Sequence, residues 1–204
     1  MRVSDLSDVE LRRVSDDFLS FADCFGVPLF SWQREAFGGA TRRVEGTFVC
    51  PLGGISVPRG DGKSWGAAAV GAWRFVFGPP PVDVTSVALD YDGAKVILQH
   101  AKRILRLHPD LESSCDVLAD SIVNPTTGSA WRIRSREHTA SRGLHPDVVL
   151  YDECGWAKDD ELFASLLAAQ ASVKDPLFLV VSTVGRRKSG PLWTIKQLAA
   201  SEVA

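Results

Sequence analysis

The sequence predicts an α/β fold in which a mainly parallel central sheet carries helices on both faces. Two short runs, 147–151 and 177–181, are almost wholly apolar, as strands covered on both sides must be. Strand-like and helix-like segments alternate beyond residue 63, and a glycine-rich turn leads into the first of those helices. With 204 residues, 45% of them hydrophobic and 24% charged, the chain can bury the core of one domain. That composition excludes a disordered or fibrous protein.

Each element has a local reason. Residues 5–25 set Leu6, Val9, Leu11, Val14, Phe18, Leu19 and Phe21 on one stripe, which predicts an entry helix capped by Ser4 or Asp5. A second short helix is expected over 29–40. Residues 47–57 are β-rich but interrupted by Pro51-Leu52-Gly53-Gly54, which predicts a bent strand or a hairpin. Helix 63–77 stops at the prolines of 78–82, because proline cannot continue a helix. A strand over 83–89 and a helix from Tyr91, with Ala94, Ile97, Leu98, Ala101, Ile104 and Leu105 on its inner face, follow. Turn chemistry at Asn124-Pro125-Thr126-Thr127-Gly128 predicts a hairpin over 121–135, and 159–171 reads as a helix between the two apolar runs.

A net charge of −2 gives no global basic field. Nucleic-acid contact would have to come from local groups such as Arg132, Arg134 and Arg136 or Arg186-Arg187-Lys188, for which a solvated surface is the plainer alternative. Cys24, Cys50, Cys115 and Cys154 form neither a metal pair nor a dense disulfide framework, so reduced thiols in an intracellular protein are expected. The start is acidic and amphipathic, and no apolar run reaches membrane-spanning length. A soluble, non-secreted chain is the expectation.

The chemistry is concentrated at two places. Residues 57–64, VPRGDGKS, satisfy the phosphate-loop pattern G-x-x-x-x-G-K-S/T except at its first position, where Val57 replaces glycine. Gly60 and Gly62 still allow close backbone approach, Lys63 can reach phosphate oxygens, and Ser64 can coordinate Mg²⁺. The helix that follows directs its N-terminal dipole at the same point. Further along, VVLYDE ends an apolar strand in Asp152 and Glu153, at the edge where open α/β sheets bind ligands. Asp152 suits Mg²⁺ held through water, and Glu153 suits a general base for an attacking water. Acids opening a helix would be the structural alternative. Taken together, the loop and the carboxylates favour nucleoside-triphosphate hydrolysis over transfer to a bound acceptor.

Four stretches in order then resemble one family: Ser31-Trp32-Gln33, VPRGDGKS, VVLYDE and Ser182-Thr183-Val184-Gly185. YDGAKVILQHAKRIL and the run SRGLHPD add to the likeness. The chain resembles the N-terminal ATPase domain of the large terminase subunit of tailed bacteriophages, over about residues 28–190. That resemblance implies a RecA/ASCE-like P-loop NTPase fold and a Mg²⁺-dependent ATPase. It also implies translocation of double-stranded viral DNA into a procapsid. The implied nucleotide-binding set is Gln33 (adenine-sensing), Arg59, Gly60, Asp61, Gly62, Lys63, Ser64 and Trp65. Glu153, Lys63 and Arg59 are implied as catalytic, Ser64 and Asp152 as metal-holding, and Ser182 and Thr183 as the coupling motif. Arg59 looks like an internal sensor of γ-phosphate or of Glu153, with a surface arginine as the alternative. Arg142 stands where the family places an arginine acting on a neighbouring subunit, and Arg136 is its rival.

The implied partners are a portal protein, a small terminase subunit and further copies in a homo-oligomeric ring, with a monomer in isolation. No membrane is expected, and the location would be the host cell cytoplasm. The expected organisation is a single ATPase domain: N-terminal helices over 1–45, the P-loop core over 46–190 and a C-terminal helix over 191–204. The nuclease domain of full-length members is expected to be absent. A helicase-like nucleic-acid translocase and a non-enzymatic nucleotide-binding scaffold are the competing readings; the former normally needs a second RecA-like domain.

Overall fold

The computed structural model describes residues 2–135, 145–157, 159–183 and 188–201. Its centre is a seven-stranded sheet built from β3 (Leu52–Ser56), β4 (Asp83–Ala88), β5 (Asp116–Val117), β6 (Ser121–Val123), β7 (Ala130–Ser135), β8 (Val148–Asp152) and β9 (Leu177–Ser182). The spatial order is β3-β9-β8-β4-β7-β6-β5. The first five are mutually parallel, and β6 and β5 extend the sheet as an antiparallel edge. A separate two-stranded ribbon pairs β1 (Arg43–Val44) with β2 (Thr47–Phe48). Strand β9 thus lies between the strand that feeds the phosphate loop and the strand that carries the carboxylates.

The central strands alternate their side chains between two apolar layers. Val148, Leu150, Leu177, Leu179 and Val181 face one cluster, whereas Val149, Tyr151, Phe178 and Val180 face the other, and all are buried. The first layer is closed by α1 (Asp8–Asp16), α2 (Phe18–Cys24), α3 (Ser31–Ala40), α4 (Lys63–Phe77), α5 (Tyr91–Arg106) and the short α6 (Pro109–Ser113). The second is closed by α7 (Glu161–Gln170) and α8 (Pro191–Ser201). The α/β sandwich expected from the apolar runs is therefore present. In helix α4, Ala67, Ala68 and Ala69 are fully buried, and a Cβ on Gly71 would stand 2.4 Å from the Trp131 ring of the sheet. Buried indoles keep their donors satisfied: Trp73 Nε1 bonds Val14 O and Trp131 Nε1 bonds Ser86 Oγ, each at 2.7 Å.

Three local expectations change. The stripe over 5–25 is two helices rather than one. Asp17, with φ −128°, ends α1 and caps α2, its carboxylate accepting from Ser20 N at 2.6 Å. The N-cap of α1 is Ser7, in a reciprocal capping box with Glu10, instead of Ser4 or Asp5. Gly53 and Gly54 do not break the strand but lie inside β3. Added Cβ atoms there would come within 3.3 Å of Leu179 and 3.1 Å of Ile195, so glycine answers to close packing. The expected hairpin over 121–135 is present as β6 and β7.

Candidate active site

The loop from β3 to α4 bends at Gly60 (φ 88°) and Gly62 (φ 81°), left-handed conformations natural to glycine. Gly62 is also the N-cap of α4, so Lys63 and Ser64 open that helix at the C-terminal edge of the sheet. Lys63 is 8% exposed, and its Nζ lies 2.9 Å from Glu153 Oε1. Ser64 Oγ donates to Asp152 Oδ2 at 2.5 Å. Phosphate-loop cation and hydroxyl therefore each rest on one of the two adjacent carboxylates. The next strand supplies the remaining partner: Thr183 gives its backbone N–H (3.3 Å) and its hydroxyl (2.9 Å) to Glu153 Oε2.

Glu153 holds a left-handed backbone conformation, φ 54° and ψ 28°, unusual for a residue with a Cβ. Its N–H lies 2.9 Å from both Val181 O and Asp152 Oδ1, which fixes that turn to β9. The electrostatics separate the two acids. Burial pushes the Asp152 carboxyl above the usual aspartate range, against the hydrogen bond from Ser64 and the charge of Lys63. Burial acts on Glu153 in the same sense, but the Lys63 ammonium and the Thr183 donors outweigh it and hold that carboxyl below the ordinary glutamate range. An ionised Glu153 at neutral pH follows.

These groups line one polar cavity of about 370 Å³, shared by Arg59, Lys63, Ser64, Asp152, Glu153 and Trp156 among others. Beside it, an apolar cavity of about 490 Å³ is lined by Pro28, Leu29, Phe30, Gln33, Gly62 and Trp65. Gln33 is 1% exposed and both ends of its amide are engaged: Nε2 donates to Gly62 O at 2.8 Å, and Oε1 accepts from Phe30 N at 2.8 Å. The expected adenine-facing amide is thus directed at the phosphate loop, and the open wall of the apolar cavity is Phe30, 65% exposed. Trp65 is anchored by Nε1 to Pro28 O at 2.7 Å.

The phosphate loop and the carboxylate pair meet across β9, the strand inserted between them. A family model described as terminase large subunit, ATPase domain, matches residues 25–197. The chain belongs to that family. Among solved structures, the fold of this terminase ATPase domain is similar to the HK97 bacteriophage large terminase, at 20% identity and a TM-score of 0.76, covering 93% of this chain and 41% of that one. It is also similar to the large terminase ATPase domain of Thermus phage P74-26, at 19% identity and a TM-score of 0.62, covering 80% of this chain and 68% of that one. A mutant of the same Thermus phage domain gives 18% identity and a TM-score of 0.61. No curated protein matches the chain. The chain spans about two fifths of the length of the HK97 protein.

Within this terminase domain, the oxygen donors suit a magnesium ion. Ser64 and Asp152 offer one hydroxyl and one carboxylate side by side, hard ligands of the kind that leave an octahedral ion most of its waters. Among the described residues no cluster of three or more His, Cys, Asp or Glu side chains is in metal-binding reach, so the ion would take its other ligands from water and phosphate. Asp61 is exposed and lines neither cavity. Ser182 Oγ donates to Thr183 O and accepts from Gly155 N, each at 2.9 Å, and so stands behind Thr183 instead of facing the cavity. Arg136, Arg142, Val184, Gly185, Arg186 and Arg187 lie outside the described residues. Arg132, on β7 between β4 and β6, pairs with Asp83 at 3.5 Å.

Two contributors escaped the sequence reading. Asp90 caps α5 through Gly93 N (2.7 Å) at the wall of the polar cavity, and the helix start was its only signal. Trp156, beyond the carboxylates, had none.

Proposed function

We propose that this chain is the ATP-hydrolysing motor domain of a large terminase, driving double-stranded viral DNA into a procapsid. The observation that carries the reading is the paired contact of Lys63 with Glu153 and Ser64 with Asp152 at the C-terminal edge of the sheet. Each contact joins a phosphate-binding group to a group suited to hydrolysis, so an arriving nucleotide engages both at once.

In the resting site Lys63 neutralises Glu153. A bound triphosphate draws Lys63 and the loop N–H groups to its own oxygens, which frees Glu153 Oε1 to accept a proton from a water aligned with the terminal phosphorus. Thr183 keeps Glu153 oriented through Oε2 while this happens. Ser64 and Asp152 would hold magnesium, whose charge stabilises the negative charge that builds on the phosphoryl oxygens. The base is received by the apolar cavity, with Phe30 and Trp65 available for stacking, and Gln33 holds the loop. Arg59, at the cavity mouth, is the loop's second cation. Within the family, the partners of such a motor are a portal protein, a small terminase subunit and a ring of further copies in the host cell cytoplasm. No helix of the described residues is long and apolar enough to cross a membrane.

Hydrolysis by Glu153→Gln tests the reading directly. Turnover should fall by about 10²- to 10⁴-fold, the usual worth of a general base, while calorimetry with ATP and Mg²⁺ still records binding. A variant that hydrolyses ATP at the wild-type rate removes Glu153 from its role.

A further inference from the structure

Trp156 stands at the mouth of the polar cavity, 45% exposed, at the end of a 3-10 turn over Cys154–Trp156. The turn is fixed from behind. Gly155 N donates to Ser182 Oγ, and a Cβ on Gly155 would lie 2.8 Å from both Ser182 Oγ and Thr183 O, so the turn presses on the end of β9. From there Trp156 Nε1 donates to Thr183 Oγ1 at 3.0 Å. An indole N–H can only donate, and a hydroxyl has one proton. The Thr183 proton is therefore directed to its other neighbour, Glu153 Oε2.

The ring face of the same indole meets a different group. Arg59 Cζ lies 5.9 Å from the ring centroid, within cation–π range. One side chain thus touches, by its edge, the hydroxyl that serves Glu153 and, by its face, the arginine of the phosphate loop.

Building on the hydrolase reading above, we propose that Trp156 is a positioning residue with two separable actions. Its N–H fixes the Thr183 hydroxyl as a donor to Glu153, and its face holds Arg59 over the cavity mouth, ready for an incoming phosphate. Trp156→Phe separates the actions, since phenylalanine keeps a ring face and loses the N–H. Trp156→Ala removes both, and the exposure of the residue leaves the core intact.

The test is steady-state ATPase for wild type, Trp156→Phe and Trp156→Ala, each with and without Arg59→Ala. Nucleotide-free ¹H–¹⁵N spectra of the indole N–H groups accompany it. Trp156→Phe should lower kcat about 2- to 10-fold, the worth of one hydrogen bond, with KM unchanged. Trp156→Ala should add an increase in KM of about 2- to 5-fold, the strength of an exposed cation–π contact, and that increase should vanish in the Arg59→Ala background. The Trp156 cross-peak, identified by its loss in Trp156→Phe, should shift in both Thr183→Val and Arg59→Ala. An unchanged kcat in Trp156→Phe, or a KM increase that persists without Arg59, overturns the proposal. Should the wild-type chain turn over no ATP, the hydrolase reading fails separately and the spectra decide alone: a cross-peak unmoved by both variants overturns the positioning role.

Discussion

Helix α4 carries a buried cation near each end, and the two have opposite fates. Lys63, at its start, rests on Glu153 beside an open cavity. Arg74, near its end and 2% exposed, lies between the rings of Phe48 and Trp73 (5.1 and 5.6 Å to the centroids), with Asp175 at 3.6 Å. Asp175 also accepts from Arg43 at 2.7 Å and from Phe48 N at 2.9 Å, tying the β1–β2 ribbon to the segment before β9. Burial, and then the nearby Arg43, pull the Arg74 guanidinium below its usual range, and its Nε and Nη1 have no hydrogen-bond partner among the described residues. Charge at the open end faces a cavity, whereas charge at the closed end is sealed in packing. What separates them is access, since the chemistry is a cation facing a carboxylate in both.

The contrast can be broken at its closed end first. Asp175→Ala leaves two guanidinium groups facing each other without their shared carboxylate, and should cost about 3–5 kcal/mol in urea denaturation. ATPase activity per folded molecule should persist, and a collapse of kcat in a folded variant would show that the two ends are coupled. Gln33→Ala should act at the open end, raising the KM for nucleotide about 2- to 10-fold through loss of the bond to Gly62 O. Because that amide holds the loop, the ratio of ATP to GTP turnover should stay nearly constant; a large selective loss of ATP would return Gln33 to base recognition.

The smallest effect is in the pH dependence of stability. Glu153 has a lowered folded pKa, so its contribution is present above the ordinary glutamate value and disappears as pH falls through the lowered one. Wild type should therefore exceed Glu153→Gln in stability by no more than about 1 kcal/mol at neutral pH, with the gap closing on acidification. Asp152, raised by burial, runs the other way: its contribution is full at low pH and fades as pH rises through the raised value. A gap that widened with acid would mean that Lys63 does not hold Glu153 in solution.

The open end was legible in the sequence because its residues are contiguous. VPRGDGKS and VVLYDE carry their chemistry within a few positions, and the all-apolar runs report burial on both faces directly. The closed end was not legible, because Arg43, Arg74 and Asp175 are individually ordinary charged residues that only tertiary packing brings together. The break at Asp17 failed for a related reason: a continuous apolar stripe fits two helices as well as one, and the choice rests on a single cap. Gly53 and Gly54 misled in the opposite direction, since their lack of a side chain answers to Leu179 and Ile195 across the core, not to a turn. Gln33 stands out in the sequence only through its motif, and its bond to Gly62 is invisible without the loop in place.

The two cavities each have an indole in their wall, Trp65 beside the apolar one and Trp156 beside the polar one. Of the six tryptophans, Trp73 and Trp131 are sealed in the core. Trp65 and Trp156, with Trp32 and Trp193, are the four outside it, so each cavity has one fluorophore in its wall. Under the proposed function, the difference in emission between wild type and Trp65→Phe would report events at the apolar cavity, and that between wild type and Trp156→Phe events at the polar one, with no dye attached.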